Sequence, residues 1–425
     1  MPEVGRERAG PRPLAIVAGM SGNLMEWYDF ALYGVLAATL AELFFPHGSR
    51  LTALLSVFAV FAAGYVMRLA GGALFGHVAD RVGRRRALLL SAVAMTTATV
   101  LAGLLPPYKD VGALAPILFT ALRLLQGLAV GGEFTTSIVY LVEHAPTDRR
   151  ALFGTCASLT AGIGMLLGSA VGNALFALFP TERILVWAWR LPFLLALPLG
   201  LAIVLLRSAL PVDEMTTSER SERRSPVRRV LREHPLEVVR CALLAWGPNA
   251  SFYAIAVFLA SFLATERILP EDSALTLATA TMAYIVVLTP VAGYLADRIG
   301  RRTMVAVGTA ACAALAVPLF AVLRGAADPG RDLLAQLVFA TAVVTCLPPC
   351  QVWLAERFPY AVRASGLGVS YNLAVGILGG GTPLVCTALA EWSGSPLAPG
   401  AYLVLPALIA FVVALRSDDT RGPLR

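Results

Sequence analysis

Runs of about twenty apolar residues, separated by short clusters of charge, proline and glycine, recur along the whole chain. About twenty residues is what a helix needs to cross the hydrocarbon of a bilayer. A soluble fold would have to bury every one of these runs, and a chain of 425 residues cannot enclose them all. Composition agrees, with 57% hydrophobic and 14% charged residues where soluble domains carry roughly a quarter charged. The expected fold is an all-α membrane protein of twelve transmembrane helices. The spans fall near 14–43, 51–78, 86–106, 114–142, 150–178 and 189–207, then 236–264, 273–296, 302–323, 332–355, 362–389 and 398–415.

Charge sets the expected orientation. Alternate connecting segments, together with both termini, hold about 25 of the 34 Lys and Arg residues, and cytoplasmic segments carry that excess. Residues 1–13 and 416–425 are read as cytoplasmic tails around a bundle at 14–207, a linker at 208–235 and a second bundle at 236–415. The first apolar run is longer than a cleaved signal core and lacks a cleavage site, so it is read as a permanent helix. A bacterial inner membrane is the expected location, with lipid as a partner. The basic stretch Arg220 to Arg232 suits an anionic inner leaflet, which displaces a nucleic-acid reading. A monomer without cofactor or metal is expected. Cys346 and Cys350 lie one turn apart, but no histidine or carboxylate adjoins them, so small buried side chains is the simpler account. His47, His77, His144 and His234 lie in or near loops, which leaves proton handling to carboxylates.

The two halves repeat. Gly76-His-Val-Ala-Asp80-Arg81-Val-Gly83-Arg84-Arg85 recurs as Gly293-Tyr-Leu-Ala-Asp297-Arg298-Ile-Gly300-Arg301-Arg302. Glu143 to Arg150 recurs more loosely as Glu356 to Arg363. Similar spacing of both motifs implies duplication of a whole six-helix unit, the plan that alternating access uses. Each first motif is expected in the turn after the second helix of its half. There glycine permits a tight turn and close approach, while Asp80 and Asp297 accept from a neighbouring helix N-terminus. Such a cluster can latch the cytoplasmic side. Plain basic anchoring is the alternative.

This doubled motif on a six-plus-six plan resembles the major facilitator superfamily. Gly22-Asn23-Leu-Met-Glu26-Trp27-Tyr28-Asp29-Phe30-Ala-Leu-Tyr33-Gly34, Arg68-x-x-Gly71-Gly72, and Arg123-x-x-Gln126-Gly127-x-x-x-Gly131-Gly132-Glu133 narrow the likeness. With Trp189-Arg190-x-Pro192-Phe193 and Phe358-Pro359 to Tyr371-Asn372, the chain is similar to metabolite–proton symporters, which include proline/betaine, citrate, α-ketoglutarate and shikimate porters. The resemblance implies the major facilitator fold and no enzymatic activity. Leu69 departs from the proline usual after that arginine, which implies a straighter second helix.

The residues point to the same sites. An ionisable group at membrane depth costs roughly 2.5–3.5 kcal/mol on insertion scales, so it is a functional candidate by default. Asn23, Glu26, Asp29 and Tyr33 share one face of helix 1 within about 120°. Arg68 and Arg123 read as the basic groups well inside helices, with Gln126 on the face of Arg123 and Glu133 nearby. A carboxylate facing an arginine suits proton coupling: the pair holds it ionised, and substrate engagement of the arginine releases it to take a proton. Asp29 is the expected proton-linked carboxylate and Arg123 its partner and substrate anchor. Glu26 and Glu133 are further candidates, with a permanent ion pair or helix packing as alternatives. Asn249, Tyr253, Tyr284, Gln351, Tyr371 and Asn372 form the expected uncharged substrate wall in the second half. Gly376, Gly379, Gly380, Gly381 and Pro383 weaken helix 11.

Two intramembrane arginines favour import of a small organic anion, a di- or tricarboxylate, with protons. The alternative is a zwitterionic solute such as proline or betaine, held by cation–π faces of Trp27, Tyr28 and Tyr253. An efflux antiporter and a membrane sensor fit less well, because helix 1 is polar and no sizeable segment lies outside the helices.

Overall fold

The computed structural model describes residues 13–46, 50–208, 226–259, 262–263, 271–325 and 328–420. The tail before Pro13, residues 209–225 of the linker, His47 and residues 421–425 lie outside the described residues. Among the described residues, the regular secondary structure is helical throughout. The first half comprises α1 (Pro13–Val35, resuming after Leu36 as Ala37–Phe44), α2 (Arg50–Val82), α3 (Arg84–Leu104) and α4 (Leu114–His144). It ends with α5 (Arg150–Leu178, with a break at Thr155) and α6 (Arg190–Ser208). The second half comprises α7 (Pro235–Phe258), α8 (Glu271–Ile299), α9 (Arg301–Leu323), α10 (Pro329–Glu356), α11 (Tyr360–Ser393) and α12 (Ala398–Leu415).

Eleven of these twelve contain a stretch long and apolar enough to span a bilayer. The exception is α1, whose mean hydropathy is lowered by Asn23, Glu26 and Asp29. It packs against α4, α5 and α6, and that protein jacket makes its charges tolerable at membrane depth.

The halves meet on two matching seams, α2 against α11 and α5 against α8. Within the first half, α2 and α4 approach backbone to backbone. A Cβ on Gly127 would stand 2.1 Å from the Gly64 carbonyl oxygen, and one on Gly131 equally close to that of Arg68. Only glycine permits this approach, and it brings the stretches carrying Arg68 and Arg123 side by side.

Three local details differ from the sequence reading. Most of the duplicated motif is helix and not turn, because Gly76–Val82 and Gly293–Ile299 remain helical. Gly83 and Gly300 alone make the turns, at φ 118° and 113°, where a side chain would be strained. Part of the polar linker is ordered as a helix, Pro226–Glu233, which buries Pro226 and Val230 against α2 and α11. Arg207 is also fully buried, so Arg68 and Arg123 are not the only basic groups inside the bundle. It ends an apolar run, the usual place for an interfacial anchor.

Two helices change pitch beside candidate residues. In α7 the π-helical segment Ala254–Phe258 follows Tyr253, and in α11 the segment Ala374–Gly379 follows Asn372. Such bulges concentrate at functional positions. The second corresponds to the glycine-weakened region of α11, and α2 runs without a break past Leu69.

Candidate functional site

Two ion pairs face one void inside the first half. On α1, Asp29 is 3% exposed and Arg123 on α4 is 5% exposed. Asp29 Oδ2 accepts from Arg123 at 2.7 Å, while Oδ1 accepts from Gln126 at 2.9 Å and Thr99 at 3.2 Å. Gln126 also donates to Thr99 at 2.8 Å. The Arg123 guanidinium lies 4.0 Å from the Tyr33 ring centre and 5.7 Å from that of Phe119. Its Nε and one terminal nitrogen have no hydrogen-bond partner.

The second pair is more loosely held. Arg68 stands 3.1 Å from Glu26 Oε1, and neither Glu26 oxygen accepts a well-aligned hydrogen bond. Arg68 Nε donates to Asn372 Oδ1 of the second half at 3.4 Å. The Asn372 amide donates to the Gly131 and Gly368 carbonyls, each at 2.7 Å.

Aromatic rings enclose this arrangement. Trp27, Phe30, Phe61 and Tyr65 line the void, and Tyr253 and Phe252 of α7 close a circuit of six. Successive ring centres lie 5.0–6.2 Å apart around it. The Tyr65 and Tyr253 hydroxyls meet across the halves at 3.3 Å.

Trp27 also borders a second void between the halves, and none of the residues lining it is charged. Ser158 donates to Gln351. Gln351 donates to Tyr371 at 2.9 Å, and Tyr371 donates to Asn249 at 3.1 Å. Asn249, Gln351 and Tyr371 therefore form one wall, reached from the first half by Ser158.

Other expected residues lie outside the linings. Asn23 donates to Ser137 at 2.9 Å, Tyr33 bonds the Val57 carbonyl beneath Arg123, and Tyr284 meets Thr341 at 2.9 Å. Tyr28 donates to the Pro192 carbonyl at 2.7 Å, away from both voids. Glu133 belongs to a different assembly. Both of its oxygens accept from Arg207, and Ser91 donates to one of them. Arg207 also donates to the Ala18 carbonyl at 3.2 Å and the Leu88 carbonyl at 2.6 Å. This cluster joins α1, α3, α4 and α6.

At the end carrying the duplicated turns, the pattern repeats. Asp80 accepts from the backbone N–H groups of Ala364 and Ser365 at 3.2 and 2.8 Å, and Asp297 from those of Ala151 and Leu152 at 2.8 and 2.9 Å. Each aspartate thus sits at the first turn of a helix in the opposite half, where the dipole favours it. Gly76 and Gly293 permit the approach, since a Cβ would stand 2.8 Å from Ser365 Cα and 2.3 Å from the Thr155 hydroxyl. Arg84 pairs with Asp80 at 2.5 Å and Glu143 at 3.2 Å, and Arg363 pairs with Glu143 at 2.9 Å. Arg301 pairs with Asp297 at 2.9 Å and Glu356 at 3.2 Å. Arg81 is exposed, and Arg298 lies over the Tyr294 ring at 4.7 Å.

Residues 19–383 match the model of the Major Facilitator Superfamily. The chain belongs to that superfamily. Among its curated relatives in the superfamily, the proline/betaine transporter of Salmonella typhimurium is 30% identical, covering 97% of this chain and 84% of the relative. The α-ketoglutarate permease of Escherichia coli is 33% identical, covering 94% and 92%. A solved structure of the proton:xylose symporter XylE bound to 6-bromo-6-deoxy-D-glucose shares the fold, with a TM-score of 0.79, 19% identity and coverage of 95% and 94%. The protein is accordingly a multi-pass membrane transporter of the superfamily with bacterial relatives, and those relatives are transporters rather than enzymes.

Several contributors had no sequence signal. Thr99, Ser91, Ser158 and Arg207 are ordinary residues of apolar helices until their partners are placed. Tyr65 stands one turn before Arg68, which was a usable hint.

Proposed function

We infer that this transporter is a proton-coupled symporter of a small zwitterion bearing a carboxylate and a quaternary or secondary ammonium. The supporting observation is the charge-balanced, aromatic-walled void: two carboxylates, two arginines and four aromatic rings. Each arginine is already matched by a carboxylate, so the pocket offers no net positive charge to a polyanion. A zwitterion needs none. Its carboxylate suits the arginine whose own partner is neutralised by the coupled proton, and its cation suits ring faces, each contact contributing about 0.5–2 kcal/mol. The transporters named for proline, betaine and ectoine among its relatives support this reading.

A dicarboxylate is the second reading. The paired arginines favour it if protons neutralise both carboxylates, and the likeness to the α-ketoglutarate permease supports it. Alternating access would place substrate between the halves, beside the uncharged wall of Asn249, Gln351 and Tyr371. We place the duplicated turns and both termini on the cytoplasmic side, closed here by Asp80 and Asp297. Purified protein in liposomes under an inward proton gradient should accumulate betaine or proline in preference to α-ketoglutarate and citrate. Accumulation of the dicarboxylates alone would overturn the zwitterion assignment.

A further inference from the structure

We propose that Glu26–Arg68, rather than Asp29–Arg123, is the proton-exchanging pair, and that Asn372 is the positioning residue linking its charge state to the arrangement of the halves. The proposal rests on the symport reading and deepens it. Three residues donate to Asp29, and all of them belong to the first half: Arg123, Gln126 and Thr99. A movement of one half against the other leaves that network intact. Arg68 is different, because Nε reaches Asn372 of α11 while a terminal nitrogen faces Glu26.

Asn372 is itself fixed in a bridging position. Its amide donates to the Gly131 carbonyl across the seam and to the Gly368 carbonyl one turn back, which leaves Oδ1 aimed at Arg68. The seam is tight here, since a Cβ on Gly72 would lie 2.3 Å from the Asn372 amide nitrogen. Neighbouring Tyr65 meets Tyr253 of α7, also between the halves. Rocking that parts the halves here must break these contacts together.

The charge consequences follow. With the halves closed here, Arg68 divides its donors between Glu26 and Asn372, and the Glu26 oxygens lack aligned donors. Glu26 then takes a proton from water to give a neutral carboxyl, an O–H bond forms, and Arg68 keeps its charge. Substrate carboxylate matches that charge. When the halves part, Asn372 is withdrawn and substrate leaves. Glu26 returns its proton to water on the other side and again pairs with Arg68. One proton and one substrate cross per cycle, with no other chemistry required.

The charged and titratable groups around Glu26 are Arg68 and Tyr65 on α2, Asp29 on α1, Arg123 and Glu133 on α4, Tyr253 on α7 and Tyr371 on α11. Arg123 is engaged by Asp29 and Glu133 by Arg207. Arg68 is therefore the cation that answers to the protonation of Glu26.

The test uses the full chain in liposomes containing a trapped pH dye. Betaine counterflow, which needs no net proton movement, is measured beside betaine-linked proton entry and the pH profile of uptake. Glu26→Gln and Asn372→Ala should lower proton entry per betaine exchanged by about tenfold or more and flatten the pH profile, as expected when a coupling free energy is removed. Asp29→Asn should lose counterflow itself, because the amide nitrogen cannot accept and the one neutral oxygen left cannot hold Arg123, Gln126 and Thr99 together. Wild-type proton entry in Glu26→Gln would overturn the proposal. So would a wild-type pH profile in Asn372→Ala, or loss of proton entry with counterflow intact in Asp29→Asn. Should Asn372→Ala fail to fold, the contrast between Glu26→Gln and Asp29→Asn still decides. If the wild type exchanges α-ketoglutarate and not betaine, the substrate assignment falls, and the same contrast run with α-ketoglutarate tests the pair.

Discussion

Substituting Arg207 by Met should destabilise the first half severely without any selective effect on proton coupling. Arg207 is fully buried and donates to Glu133 and to the Ala18 and Leu88 carbonyls. The methionine fills much of the space but leaves Glu133 charged and buried, with Ser91 as its remaining partner. Breaking a buried pair from one side costs about 3–5 kcal/mol. Glu133→Gln should cost less, about 1.5–3 kcal/mol, because an oxygen remains to accept from Arg207 and a hydrogen bond to a charged group is what weakens. Glu133→Leu with Arg207→Met removes both charges together and should recover part of the single-site loss, since replacing a whole buried pair is often near neutral. A thiol-reactive dye in a detergent melt reports this directly. Cys241, Cys312, Cys346, Cys350 and Cys386 are buried, and they become reactive as the bundle opens. The reasoning is refuted if Arg207→Met melts with the wild type, or if stable Glu133→Gln loses proton entry while retaining counterflow.

Other substitutions test the packing and the latch. Gly127→Ala puts a Cβ 2.1 Å from the Gly64 carbonyl oxygen, so α2 and α4 must separate; the yield of folded protein on size-exclusion chromatography should collapse, whereas Gly34→Ala, which meets nothing within 4 Å, should be silent. Gly83→Ala, at φ 118°, should cost about 1–3 kcal/mol in the same melt. Asp80→Asn should loosen the closed end by weakening the bonds from Ala364 and Ser365, raising alkylation of a cysteine introduced at Ser365, which is buried here. Tyr65→Phe removes one hydroxyl from the Tyr253 contact but keeps the ring that lines the void, so betaine affinity should hold while Tyr65→Ala lowers it by about 0.5–2 kcal/mol, the scale of one cation–π contact.

How much of this was legible in the sequence depends on the kind of interaction. The helices were readable because hydrocarbon demands a fixed apolar length, and the duplicated motif gave the two-half plan. The polar face of α1 was readable because 3.6-residue periodicity groups Glu26 and Asp29 on one side, and the Asp29–Arg123 pairing followed from their scarcity. The partner of Glu133 was missed because Arg207 ends an apolar run, the usual place for an interfacial anchor; only the folded bundle shows its guanidinium turned inward. Asn372 was picked out, but its role between α2, α4 and α11 depends on glycine-permitted approaches that no linear pattern reveals. The aromatic circuit joins α1, α2 and α7, and residues so distant in sequence carry no common period.

The central claim is proton-coupled transport of a zwitterion, and the charge carried per cycle tests it most directly. A neutral zwitterion moving with one proton carries one positive charge inward. On a solid-supported membrane, betaine or proline should therefore evoke an inward positive current at matched pH. In liposomes, an inside-negative potassium diffusion potential alone should drive accumulation. No current with either solute, together with α-ketoglutarate uptake that an inside-negative potential opposes or leaves unchanged, would contradict the account.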